Sequence, residues 1–205
     1  MTQLNNKQKS YHRDDLRGDL LRAGRAYISE HGHHTLTVRT LAQTVGVSPG
    51  APYHHFRDRR SLLLALARDG YEELTQKAVA AASSPGSPEQ KLIALAMNFV
   101  DFAMTSPQLL ELMYESELTS PSPDVTLLEY QNAGQSSLLA QLRSARPGDN
   151  EDEAGVRVLA LWSSIYGFAS LRRKQMIQMF EPQHMGPEEV ARRTMTLAVH
   201  AALED

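Results

Sequence analysis

The feature that most constrains this chain is the punctuation of residues 37–63, TVRTLAQTVGVSPGAPYHHFRDRRSLL. Thr37 is placed to cap a short helix carrying Val38, Leu41, Ala42 and Val45 on one face, and Gly46 ends it. Val47 falls in the tight turn that follows. Ser48 and Pro49 restart the chain as N-cap and first helical residue, and the spacing predicts a third helix running to about Phe56. Asp58 caps the next. Helices this short are marginal alone, so they must be held by burial, and Phe56 is the expected core anchor.

The rest of the chain reads as helices separated by brief loops, with no sustained strand-type alternation and no internal repeat. In the first helix Asp14 is positioned as a cap, Leu16, Leu20, Ala23 and Tyr27 share a face, and Gly32 stops it. The helix capped by Asp58 carries Leu62, Leu63, Leu66, Tyr71 and Leu74 and continues to about Ala80 as a long connector. It does so despite Gly70, which costs about 1 kcal/mol against alanine. The clearest break is SSPGSP at 83–88. Beyond it helices are predicted at 89–105, 107–117, 123–145, 152–179 and 187–203, with Pro107, Pro123 and Pro187 suited to first helical positions. The fold class is therefore all-α. A flexible tail at 1–12 precedes a three-helix head within residues 1–60, which joins a helical bundle over 61–205.

With 41% hydrophobic residues in 205, the chain can bury a substantial core. It has no cysteine, which excludes disulfides, thiolate metal sites and cysteine nucleophiles. The polar start and the short longest apolar run, 62–67, predict neither a signal peptide nor a membrane span, so a cytoplasmic location is expected. Charge is divided unevenly. Through Tyr71 there are eleven basic and six acidic residues, a formal +5, whereas the remainder carries −8 of the total −3. Six of the eight histidines also fall in the basic part. A small basic head on an acidic body suits a polyanion such as DNA.

The punctuated segment has the lengths of a helix-turn-helix, whose second helix enters a DNA major groove with its first turn against base edges. Around it stand Arg39, Ser48, Tyr53, His54, His55, Arg57 and Arg59, each able to donate a hydrogen bond to phosphate or base. No phosphate-cradling glycine loop, nucleophile elbow or metal-ligand motif points to an enzyme, and no cofactor is expected. His31, His33 and His34 lie in HGHH after a helix, without a helical ligand spacing, and are read as solvated loop histidines.

This segment, over roughly residues 16–74, resembles the N-terminal DNA-binding domain of the TetR family of transcriptional regulators. The shared marks are a threonine like Thr37, a turn glycine like Gly46, the grouping of Tyr53, His55 and Phe56, and a basic residue like Arg59. The resemblance implies phosphate contacts from Thr37, Tyr53, His55 and Arg59, with Gly50, Ala51 and His54 facing the groove. Gly50 stands where many relatives present a side chain, which moves base reading toward His54. Pro52 replaces a common leucine and lacks an N–H, so the first turn of the recognition element is expected to be irregular or tightened.

Later segments, SPQLLELMYESEL and LWSSIYGFASL, resemble the C-terminal domain of a subgroup named for a Trp-His-Gly motif, with Trp162 and Gly167 in place and Tyr166 where the histidine stands. The resemblance implies a homodimer formed through the last two helices, a palindromic operator and a small-molecule effector that changes the spacing of the heads. Met97, Phe102, Met113, Tyr114, Trp162 and Tyr166 are the candidate pocket walls, although core packing explains the same residues. The stripe Val190, Thr194, Leu197, Ala198 and Ala201, with the small residues Ala160, Ser164, Gly167 and Ser170, suits either a dimer interface or packing within one subunit. The rival functions are a non-specific DNA-binding architectural protein and, less supported, an all-helical enzyme.

Overall fold

The computed structural model describes residues 15–180 and 182–204. The expected tail at 1–12 and the expected cap Asp14 lie outside the described residues. Among the described residues there is no strand. These described residues form eight α-helices in order: α1 (Leu16–His31), α2 (Val38–Val45), α3 (Arg59–Ser83), α4 (Pro88–Thr105), α5 (Pro107–Tyr114), α6 (Val125–Ala145), α7 (Glu151–Arg173) and α8 (Pro187–Leu203).

Local chemistry sets most of their ends. The Asp15 carboxylate caps α1 by accepting from the Gly18 N–H at 3.0 Å. Capping boxes start α3, α4 and α7, each pairing a capping side chain with a residue three positions on: Asp58 with Ser61, Ser87 with Gln90, and Asn150 with Glu153. The α6 and α7 boundaries differ from expectation. Helix α6 is capped by Asp124 and opens at Val125, so Pro123 is not its first residue, and α7 stops at Arg173 rather than Met179 because the chain turns left-handed at Gln175 (φ 57°).

Helix α3 runs unbroken across the boundary expected at residue 60, so the head and body share it. Its first turns bury Leu62, Leu63 and Leu66. Leu66 packs so closely on Gly24 of α1 that a Cβ there would lie 3.0 Å from its methyl carbon. Farther along, Gly70 has a structural reason to lack a side chain: a Cβ would meet the Met113 sulfur at 2.5 Å and Leu109 at 3.2 Å. The α3–α5 approach thus offsets the helix-propensity cost of this glycine. Arg25 of α1 ties the same stretch electrostatically, reaching Asp69 at 2.8 Å and Glu73 at 2.6 Å. The body packs α4 centrally, against α3, α6, α7 and α8.

Candidate nucleic-acid interface and ligand cavity

The two short elements of the head are positioned by caps and by two buried anchors. The Thr37 hydroxyl accepts from the Thr40 N–H at 3.0 Å and starts α2. Gly46, left-handed at φ 74°, ends it, its N–H bonding to Ala42 and Gln43 carbonyls. Val38, Leu41 and Ala42 are buried inward. Phe56, 2% exposed, is the expected core residue, with the Arg17 guanidinium 5.9 Å from its ring centre.

Between the turn and Phe56 the chain forms a single 3₁₀ turn, Ala51–His54, instead of the α-helix expected to begin at Ser48. The cause is proline. Pro52 has no N–H to return to the Ser48 carbonyl, and the Ala51 N–H takes that carbonyl instead, at 3.0 Å, in the tighter i to i+3 pattern. Ser48 is therefore not the N-cap; Gly50 holds that position and no side chain caps the turn. Pro52 is buried and pins the turn to the head, while the carbonyl it carries accepts from the N–H groups of His55 and Phe56, each at 2.9 Å.

Most of the expected DNA-contacting groups reach solvent. Thr37, Arg39, Ser48, Gly50, Tyr53, His54 and His55 are exposed and Ala51 is half-buried. Tyr53, at 52% exposure, is a large aromatic left unburied in a small domain. Arg57 is exposed as well, paired with its neighbour Asp58 at 3.3 Å.

Arg59 is placed differently. Its guanidinium donates to the Leu36 carbonyl (2.9 Å), the His33 carbonyl (2.9 Å) and the His34 carbonyl (3.2 Å), and it pairs with Glu117. This arginine clamps the α1–α2 loop to the start of α3 and to the segment after α5. Burial pushes the Glu117 carboxyl up, but the hydrogen bond from Arg59, a backbone hydrogen bond and the nearby positive charge together outweigh it and hold that group below the usual carboxylate range. The neighbouring Arg60 extends the clamp to Asp124 at 2.8 Å. The loop histidines also depart from expectation. His31 and His34 are exposed, but His33 is 1% exposed and belongs to the interior.

The body holds a partly open cavity of about 210 Å³ between α3, α4, α6 and α7. Of the expected walls, Tyr114 and Trp162 line it. Met97, Phe102 and Met113 instead point into the packed core, and Tyr166 lies beyond the wall, its hydroxyl 3.1 Å from Glu115. Helical spacing placed all six on apolar faces but did not say which faces enclose space. Tyr71, Phe99, Tyr130, Gln131 and Asn98 were missed. Their rings meet at 4.9 Å (Phe99–Trp162), 5.4 Å (Tyr71–Tyr114) and 5.8 Å (Tyr71–Tyr130). The Tyr71 hydroxyl donates to the Met113 carbonyl at 3.0 Å and accepts from Gln131 at 2.9 Å. Burial pushes this phenol up to about 12 and Tyr114 well above its ordinary value, so both are neutral hydrogen-bonding groups.

The outer faces of α7 and α8 are apolar and uncovered. Val156, Leu159 and Leu171 of α7 and Leu197 of α8 are exposed, and an 18-residue window of α7 with mean hydropathy 1.3 is only 22% buried. Packing within the chain uses a different stripe of α8: Ala191, Met195, Val199 and Ala202. Residues Ala160, Ser164, Leu197 and Ala201 are all on the exposed side, and a Cβ built on Gly167 would touch nothing within 4 Å.

Comparison with known proteins agrees with this architecture. Residues 20–66 match the family model described as bacterial regulatory proteins, tetR family, and residues 92–198, more than half the chain, match a tetracyclin repressor-like C-terminal domain. The chain is 49% identical over 53 residues to the HTH-type transcriptional repressor AcnR of Corynebacterium diphtheriae, covering 26% of this chain and 28% of that protein. Over a longer span, 75% of this chain and 77% of the relative, it is 27% identical to the HTH-type transcriptional regulator BetI of Rhizobium meliloti. Among solved structures, a protein of unknown function from Rhodococcus sp. RHA1 superposes with a TM-score of 0.79 at 27% identity, covering 96% of this chain and 97% of that one. The regulator PfmR of Thermus thermophilus shares the fold, with a TM-score of 0.64 at 22% identity over 88% of this chain and 97% of its own. The chain belongs to the TetR family of bacterial regulatory proteins, which are DNA-binding transcriptional regulators and not enzymes.

Proposed function

We propose that this chain is a ligand-responsive repressor that binds a palindromic operator as a homodimer. The observation that carries the reading is the uncapped 3₁₀ turn, with exposed Tyr53, His54 and His55 held over buried Pro52 and Phe56. Thr37, Tyr53 and His55, with Arg39, supply phosphate contacts that fix register, and these carry no sequence information. Ser48, Gly50 and Ala51 present little side chain, so backbone can approach the groove and His54 reads a base edge. Arg59 acts on the operator through the loop it clamps, with its remaining exposure available to phosphate.

Dimerisation uses the uncovered α7 and α8 faces, the last two long helices, as half of a four-helix interface with a second copy. The small residues Ala160, Ser164 and Gly167 permit close approach there. The cavity takes a small effector. No charged side chain lines it, which favours an uncharged, aromatic or amphipathic molecule, because burying an unpaired charge is costly. Its wall includes Tyr71, Leu74 and Ala78 of α3, the helix whose first turns belong to the head, so occupancy bears directly on head position. By linkage, an effector that weakens operator binding is itself weakened by operator to the same degree.

The test is a pair of variants measured on selected and on random DNA. Tyr53→Ala lowers affinity for both alike, whereas His54→Ala costs more on the selected site, by about 1–3 kcal/mol at the position read. Equal losses on both DNAs for His54→Ala would remove it from base reading. Steep salt dependence with no preferred sequence would favour the architectural rival.

A further inference from the structure

The buried loop histidine is not explained by operator binding, dimerisation or the cavity. His33 Nε2 has no hydrogen-bond partner among the described residues, although the ring is almost wholly enclosed. An orphaned buried ring nitrogen gives up its hydration without a replacement partner, a cost that an apolar residue in the same place would not incur. That nitrogen faces ligand-type atoms. His33, His34 and Glu111 form a cluster in which one ring nitrogen of each histidine and a Glu111 carboxylate oxygen are all within 4.8 Å of one another. Glu117 Oε2 stands 3.5 Å from His33 Nε2, and Glu111 Oε1 stands 3.7 Å from His34 Nε2.

We propose that His33, His34 and Glu111, with Glu117 in reach, form a binding site for a divalent transition-metal cation of the zinc type at the junction of head and body. Two imidazoles and one or two carboxylates are the donor set of such an ion. Ligands held at 2.0–2.1 Å in a tetrahedron are separated by roughly 3.4 Å. Both cross-junction pairs already stand near that spacing, so modest side-chain rotation closes the site.

The electrostatic setting is consistent with this. Burial, then the neighbouring His34, pushes His33 down, which disfavours the imidazolium form that cannot ligate a cation. Arg59 and Arg173 are the opposing cations nearby. Each is paired with a carboxylate, Arg59 with Glu117 and Arg173 with Glu111 at 3.6 Å, so each leaves the carboxylate's other oxygen toward the histidines. A bound ion ties the loop between α1 and α2 to α5, adding a fastening to the one Arg59 makes. The site goes beyond the regulator reading and stands or falls without it, because binding is measured with no DNA present.

The experiment is calorimetric titration of Zn²⁺ into the full chain, freed of any purification tag and of metal, with Co²⁺ absorption reporting coordination geometry. The expected result is one equivalent per chain, with a tetrahedral Co²⁺ spectrum. His34→Ala and Glu111→Gln alter side chains that are exposed or half-buried, so the metal-free fold persists and its circular dichroism is unchanged. Each is expected to weaken binding by more than the roughly tenfold lost when an outer-shell partner alone is removed. Absence of stoichiometric binding, or wild-type affinity in either variant, overturns the site.

Discussion

The head carries its chemistry on the outside of its shortest elements, whereas the body carries its own on the inside of its longest. In the head, caps and prolines within a few residues of each other decide where Tyr53, His54 and His55 point. In the body, five aromatic rings, one each from α3, α4, α5, α6 and α7, meet only because five helices converge. Surfaces set by local chemistry are thus separable from cavities set by tertiary packing, and substitutions should separate them experimentally.

The largest effect is expected at the head's anchor. Phe56→Ala removes the main buried aromatic under the 3₁₀ turn and should cost about 3–5 kcal/mol. Denaturant unfolding should show the head melting before the body. A single unchanged transition would mean that the head does not depend on this ring. On the body side, a Cβ on Gly167 meets no atom within 4 Å, so Gly167→Arg is expected to spare the fold while placing a charge in the proposed interface. Light scattering should then find monomers where the wild type is dimeric. Dimers that persist would move the interface away from α7.

A subtler change tests the cavity. Gly134 lines it, and a Cβ there meets nothing within 4 Å, so Gly134→Leu fills space without strain. Operator affinity should be retained while response to any effector is lost; retained response would place the effector elsewhere. Thr37→Ala removes the α2 cap and should cost about 1 kcal/mol, mostly in the head.

The smallest effect is electrostatic. Burial pushes the Glu73 carboxyl up, but hydrogen bonds from Arg25 and Lys77 outweigh it and hold it below the usual carboxylate range. A carboxylate depressed in the folded state contributes stability above its unfolded value, and loses it as pH falls through the folded one. Below the ordinary carboxylate range the α1–α3 tie should therefore weaken. The partly exposed pair is worth about 1 kcal/mol or less. Glu73→Gln should flatten that acid limb of the stability curve.

How much was legible in the sequence follows the same division. The α2 cap at Thr37, the stop at Gly46 and the core role of Phe56 were readable because each acts within a few residues. Pro52 announced an irregular turn, and the structure sharpened this to a 3₁₀ turn in which Ser48 does not cap. Cavity walls were only partly readable: Tyr114 and Trp162 line the space, but Met97, Phe102 and Met113 do not, since helical period marks a buried face without saying what it faces. His33 looked like a solvated loop residue for the complementary reason. Its neighbours Arg59, Glu111 and Glu117 lie far along the chain, and no local pattern announces them.

The central claim is that the head's outward face reads a two-fold symmetric operator. Selection of bound fragments from random DNA by the purified chain tests it most directly. The expected result is a palindrome whose half-sites are centred one helical turn apart, about 34–36 Å, or a multiple of that spacing. Uniform recovery of all sequences, or no binding at low salt, would contradict it.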